Sequence, residues 1–213
     1  MKIPDSFELI QDEKGLSLKD LKNPKFQNLK IDFNSPALNF RRKHGGSESL
    51  IKAIGVNKKV LDATTGLGRD SFILACFGCE VLMLERNKII FSLLRDGLKR
   101  AGQIDETKDI VSRMKLKNCD AIEYLKKCKE SFDVIYLDPM FPESKKSRLV
   151  KKEMRIFKEL VGDDSDADKL LKLALKKAKK VVVKRHSDAE FLGAVKPDYQ
   201  IGGRSNRFDI YIT

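Results

Sequence analysis

The chain of 213 residues predicts an α/β fold: a doubly wound, mostly parallel sheet covered by helices on both faces, with an antiparallel hairpin at its end. Three observations carry this expectation. The runs VLDAT, VLMLE, VIYL and VVVK are apolar without alternation, as expected of strands buried on both faces. Segments with apolar residues at helical spacing, such as KIIFSLLRDGLKRAG and DADKLLKLALKKA, separate those runs. The tail FLGAVKPDYQIGGRSNRFDIYIT instead offers two strands, near Tyr199 to Ile201 and Arg207 to Ile212, joined by glycines.

Residues 1–45 read as an irregular N-terminal extension, with FELI and FQNLKIDF as short strands and DEKG and KNPK as turns between them. Residues 46–213 read as the main domain. A helix from Ser47 to Ile54 stops at Gly55, a residue suited to the left-handed turn after a helix. KKVLDAT is then a strand, and GRDSFILACFG a helix bounded by glycines. CEVLMLERN is a strand ending in charged residues, and KIIFSLLRDGLKRAG a helix. MKLKNCD is a strand, AIEYLKKC a helix and FDVIYLDP a strand closed by proline. SRLVKKEMRIFKELVG and DADKLLKLALKKA keep a helical apolar face, and KKVVVKR is the fifth strand of the series.

Composition narrows the class. Hydrophobic residues at 41% suffice for a core. A net charge of +12 suits a polyanionic partner, nucleic acid being the commonest, and equally suits a lysine-rich solvated surface. The N-terminus lacks the pattern of a signal peptide, and no apolar run nears the roughly 20 residues that span a bilayer, so a cytoplasmic protein without membrane contact is expected. The four cysteines are expected to be reduced and packed. Cys76 and Cys79 are separated as C-x-x-C, but no second such pair follows, and no metal is expected.

The chemistry-bearing residues fall where strands end. In KVLDATTGLGRD a strand stops at Asp62 and turns through Gly66 and Gly68 into a helix, so the backbone can approach a ligand. The stretch is neither a phosphate-binding GKS/GKT loop nor a full GxGxxG. Glu85 follows by about 20 residues, where a ribose-binding carboxylate belongs. Asp120 precedes a helix it can cap, and can also receive an adenine amine. YLDPMFP resembles the (D/N)PP(Y/F) motif of amino-group methyltransferases, which implies that Asp138 and the Pro139 carbonyl each accept one N–H of an exocyclic amine, aiming its lone pair, while Phe141 offers a stacking face. An amine conjugated to a base is a poor nucleophile, and such positioning is what it needs.

DATTGLGRDSF, MLERN, YLDPMFP, LVKKEMRIF and NRFDIY together resemble the RsmJ-type small-subunit ribosomal RNA methyltransferases, from about Phe33 to the end. The resemblance implies the Rossmann-like methyltransferase sheet with a reversed last strand. It implies S-adenosyl-L-methionine as cofactor and the N2 amine of a guanosine in 16S ribosomal RNA, or in the small ribosomal subunit, as acceptor. The cofactor positions it implies match Arg69, Asp70, Glu85, Arg86 and Asp138, with Asp120 and Ala121 where the family has a small polar pair. Asp70 would receive the cofactor's ammonium and Arg69 its carboxylate.

Four basic stretches are further candidates. FRRKHGG, with Arg41, Arg42 and Lys43, would clamp RNA phosphates or close over the cofactor, and reads equally well as a solvated loop. Lys145, Lys146, Arg148, Lys151 and Lys152 would lie along an RNA backbone, and Arg204 and Arg207 would add contacts. His186 reads as a loop residue rather than a base. Two alternatives stay open: transfer to adenine N6 or a protein amide, and a non-catalytic basic RNA-binding or ribosome-assembly protein.

Overall fold

A computed structural model describes residues 3–44, 48–140, 156, 159–160, 164–203 and 205–213. The chain opens with a hairpin of β1 (Phe7–Asp12) and β2 (Gly15–Asp20). FQNLKIDF departs from expectation. The partner of β1 is GLSLKD, and FQNLKIDF meets β2 at a single bridge, Leu18 to Leu29. Its period-two pattern is nonetheless real, because Leu29, Ile31 and Phe33 are all buried. They pack into the core rather than forming a ladder.

A helix not foreseen from sequence follows, α1 (Pro36–His44). Proline opens it, at a position where no backbone N–H is needed, and the Asn39 N–H donates to the Ser35 carbonyl at 2.9 Å. Its one buried residue is Leu38, too little to give a periodic signal. Helix α2 (Ser49–Ile54) ends as expected at Gly55, whose N–H donates to the Ile51 carbonyl at 2.8 Å; Ser47 lies outside the described residues.

The main series is β3 (Lys59–Asp62), α3 (Arg69–Cys76), β4 (Glu80–Glu85), α4 (Lys88–Ala101), α5 (Asp105–Val111), β5 (Met114–Asn118), α6 (Ala121–Lys127), β6 (Val134–Leu137), α7 (Ala167–Ala174), β7 (Lys180–His186), β8 (Tyr199–Gly202) and β9 (Asn206–Ile212). Helix α5 is also new. Its sequence DETKDIV has little apolar pattern, and it is seated by the buried Thr107 hydroxyl donating to the Ala101 carbonyl at 2.7 Å. The helix expected over SRLVKKEMRIFKELVG falls mostly outside the described residues.

Seven strands lie in the order β5-β4-β3-β6-β7-β9-β8. β3 to β7 run parallel, β9 is antiparallel to β7, and β8 pairs antiparallel with β9. The winding reverses between β3 and β6, which opens a crevice at their carboxyl ends.

Strand parity decides what faces that crevice. Leu61, Ile135, Leu137, Val181 and Val183 pack with α6 and α7 on one face. Val60, Val134, Tyr136 and Val182 pack with α3 and α4 on the other. Phe7, Leu18, Leu29, Ile31, Phe33 and Leu38 join this second core, so the first 45 residues share it rather than building their own. Gly97 in α4 allows the close approach, since a Cβ there would lie 2.9 Å from the Ile31 carbonyl. Continuing the same parity by two residues brings Asp62, Asp138 and Lys184 to the α3 side.

Candidate active site

The glycine turn after β3 is tightly specified. Gly66 and Gly68 adopt φ of 56° and 72°, and the Gly68 N–H closes a turn on the Thr65 carbonyl at 3.0 Å. A Cβ at Gly68 would also meet Leu94 at 2.8 Å. Asp62, at the end of β3, is buried and accepts from the Ser71 hydroxyl and, at 3.2 Å, from the Thr64 N–H. Burial pushes its carboxyl up to about 7, against the pull of those two donors.

Glu85 ends β4 and is 5% exposed. It accepts from the Asn87 N–H at 2.7 Å, and the Thr65 N–H donates to the Leu84 carbonyl at 3.4 Å, which ties β4 to the glycine turn. Arg86 reaches across to Asp164 at 2.5 Å, Asp166 at 2.9 Å and Asp120 at 3.7 Å. Asp120 lies two residues past the end of β5 and caps α6, accepting from the Glu123 N–H at 3.1 Å. Ala121 is the buried first residue of α6. Arg69 opens α3 with its side chain exposed.

A second cluster forms around Asp70. Its Oδ1 accepts from both Arg41 guanidinium nitrogens at 3.2 Å. Its Oδ2 accepts from the Tyr136 hydroxyl at 2.9 Å and from Lys184 Nζ at 2.8 Å. Burial opposes its charge, but Lys184 and Arg41 prevail and hold the carboxyl down at about 2. Lys184 Nζ also donates to Asp138 Oδ2 at 2.9 Å. The Asp138 N–H donates to the Thr64 hydroxyl at 2.6 Å, which locks the two strand ends together across the switch point. Pro139 is buried behind it; Phe141 lies outside the described residues. Beside this cluster opens a cleft of about 530 Å³, lined in part by Arg41, Asp70, Lys184, Asn206 and Phe208.

Several expectations need correction. Arg41 does not face outward to phosphates; it is held between Glu48, at 2.7 Å, and Asp70. Arg42 donates to the Glu106 carbonyl at 2.6 Å. Arg207 is turned inward onto Asp209, at 2.9 Å, and donates to the Ser187 carbonyl at 2.7 Å, so it is not an exposed RNA contact. His186 is the last residue of β7 rather than a loop residue. Asp70, expected to meet a ligand ammonium, has both oxygens accepting from Arg41, Tyr136 and Lys184, donors with which such a ligand would share it. The basic set Lys145, Lys146, Arg148, Lys151 and Lys152, and Arg204, lie outside the described residues. All four cysteines are free.

Lys184, Tyr136 and Asp164 were missed. For the first two a signal existed: Lys184 follows Val182 by two residues and Asp138 follows Tyr136 by two, so parity alone puts them on one face.

The rim suits S-adenosylmethionine chemically. Asp62, Asp70, Glu85, Asp120, Asp138 and Asp164 gather at one edge of a chain that is otherwise strongly basic. Such an edge favours a ligand rich in hydroxyl and amine donors and carrying net positive charge. The sheet order, with its reversed penultimate position and this rim, is that of an S-adenosylmethionine-dependent methyltransferase. Residues 2–213 match the family described as "Putative SAM-dependent methyltransferase".

The chain belongs to the ribosomal RNA small subunit methyltransferase J family. It is 47% identical over 215 residues to the member from Shewanella sediminis, covering 97% of this chain and 83% of that one. It is 48% identical over 217 residues to the member from Pseudoalteromonas atlantica, covering 96% and 84%. Among solved structures, an S-adenosylmethionine-dependent methyltransferase from Neisseria gonorrhoeae superposes with a TM-score of 0.80 at 36% identity, covering 100% of this chain and 85% of that one. Among the described residues no helix is long and apolar enough to cross a membrane.

Proposed function

We propose that this chain methylates the exocyclic N2 amine of a guanosine in 16S ribosomal RNA, with residues 46–213 as the methyltransferase unit and residues 1–45 as its extension. The observation that carries the reading is Asp138. It stands at the switch point with Oδ2 on Lys184, which leaves Oδ1 for an acceptor, and Lys184 in turn lines a cleft of about 530 Å³. The names of the relatives supply the substrate class. Ribosomal RNA as substrate makes the cytoplasm the place of action.

When bound, S-adenosylmethionine supplies an electrophilic methyl group. Glu85 would hold the ribose hydroxyls, Asp120 with Ala121 the adenine, and the Gly66–Gly68 turn with Arg69, Asp70 and Arg86 the remaining polar groups. Asp138 would accept one N–H of the amine and the Pro139 carbonyl the other, which orients the nitrogen lone pair. Phe141 would stack on the base. Preorganised acceptors of this kind act without reorganising during the reaction.

Glu85 gives a test of the cofactor half. Burial pushes its carboxyl up to about 7 from an ordinary 4.5. Between those values the folded chain holds a proton the unfolded chain has lost, so this group's contribution to stability falls as pH rises through that window. Ribose hydroxyls donate to the ionised form. Cofactor binding near pH 6 should therefore release protons, and affinity should weaken as pH drops below about 7. Glu85→Ala should cost about 1.5–3 kcal/mol of cofactor affinity and remove most of that proton release. Calorimetry in buffers of different ionisation enthalpy measures both. Unchanged affinity in folded Glu85→Ala would take Glu85 out of the site.

The reaction itself is tested with labelled cofactor, using naked 16S ribosomal RNA in one arm and assembled small subunits in the other. Mass spectrometry of the nucleosides should find N2-methylguanosine in at least one arm. Label appearing at adenine N6 or on a protein amide, or RNA binding without label, would replace this reading.

A further inference from the structure

We propose that Lys184 is a positioning residue of the reaction: its ammonium holds Asp138 ionised and turned so that Oδ1 faces the acceptor amine. The inference rests on the reading of Asp138 as the amine's acceptor and adds a residue to it.

The geometry is specific. Lys184 follows the buried run Val181–Val183, and its side chain is 22% exposed. Nζ sits between two carboxylates, 2.8 Å from Asp70 Oδ2 and 2.9 Å from Asp138 Oδ2. In strand register Leu137 pairs with Val183, so Asp138 and Lys184 are the next residues of adjacent parallel strands. The contact is therefore built by the sheet and not by a flexible loop.

The charges around Asp138 show what the lysine is for. Asp62 approaches from β3, Asp70 from α3 and Asp164 from the segment before α7. Tyr136 comes from Asp138's own strand, and its hydroxyl donates to Asp70. Arg41, from α1, is committed to Glu48 and Asp70. Arg86, just past the end of β4, is committed to Asp120, Asp164 and Asp166. Among the described residues, Lys184 is the cation in direct contact with Asp138.

Burial and the neighbouring carboxylates push the Asp138 carboxyl above its ordinary value, and Lys184 limits that rise. Burial works against the charge of Lys184 too, yet Asp138 and Asp70 more than offset it, so the ammonium stays protonated at any pH where RNA is handled. A protonated Asp138 would present a donor to an amine that needs an acceptor. The side chain of Asp138 keeps 39% exposure, and its partner Lys184 lines the cleft.

Single-turnover rates against pH test the proposal, using wild type, Lys184→Met, Lys184→Gln and Lys184→Arg. In the Met and Gln variants the acid limb should move up by at least about one pH unit, the scale of an opposite charge at contact distance. Their rate at neutral pH should drop at least about tenfold and recover as pH rises. Lys184→Arg should keep the wild-type limb. Carboxyl-carbon NMR of Asp138 without cofactor or RNA, assigned with Asp138→Asn, should show the same upward displacement in Lys184→Gln.

An acid limb at the wild-type position in Lys184→Met or Lys184→Gln would overturn the proposal, whatever the rate. If neither neutral variant folds, the wild-type NMR titration decides: Asp138 must be ionised wherever turnover is maximal, and an Asp138 still protonated there overturns it. Asp138→Ala separates the two readings. Activity in that variant defeats the acceptor role itself, whereas inactivity with an unmoved limb in the lysine variants defeats this inference alone.

Discussion

Asp138→Ala is expected to bind RNA almost as wild type does while methyl transfer falls by at least about 10²-fold, the loss found on removing one preorganised polar contact. The asymmetry follows from where the contacts lie. RNA affinity is dominated by phosphate contacts, which are spread over a surface. Asp138 touches Thr64 and Lys184 at the switch point, through its N–H and Oδ2. Its loss removes an interaction with the reacting amine, so kcat should fall with little change in RNA Kd. Single-turnover assays with labelled cofactor, together with filter binding of the RNA, measure the two separately. Near wild-type turnover would reduce YLDPMFP to a proline-stiffened turn and end the acceptor role of Asp138.

Asp70→Ala should be the most destabilising change in the rim, by about 3 kcal/mol. Breaking a buried ion pair costs about 3–5 kcal/mol because a charge is left uncompensated. The lower end applies here because Arg41 keeps Glu48 and Lys184 keeps Asp138; the Tyr136 hydroxyl loses its acceptor. The pH dependence gives a signature. Held at about 2 in the folded chain against an ordinary 3.8, Asp70 contributes stability that is complete above about 3.8 and is lost as pH falls toward 2. Urea unfolding at pH 7 should show the loss, and the gap between variant and wild type should narrow in acid. A variant as stable as wild type at pH 7 would show that the network around Asp70 contributes little to folding.

Much of the fold was legible because strands buried on both faces leave an unmistakable apolar run, and VLMLE or VIYL can hardly be anything else. Asp62, Gly66, Gly68, Glu85 and Asp138 were legible because an α/β sheet exposes ligands to its strand ends, and those ends can be read off the chain. Helices α1 and α5 were not, since each buries too few apolar side chains to show a period. What Arg41 and Lys184 pair with was hidden for another reason. Lys184 and Asp70 are 114 positions apart, and only the pairing of β6 with β7 brings that lysine to the rim. Arg207 illustrates the converse: a basic residue in a basic tail reads as a surface contact, but it lies against Asp209, two residues along the same strand, and against the Ser187 carbonyl.

Asp164 has a consequence for how such a protein can change over time. Its N–H donates to the Met140 carbonyl at 3.1 Å, its carboxylate accepts the Met140 N–H at 2.7 Å, and Arg86, just past β4, holds the same carboxylate. Met140 lies two residues past Asp138, so a substitution at Asp164 would loosen the strand end that carries the chemistry and the Arg86 contact in one step. A position that answers to two partners at once is among the last on the rim that evolution can alter without altering both.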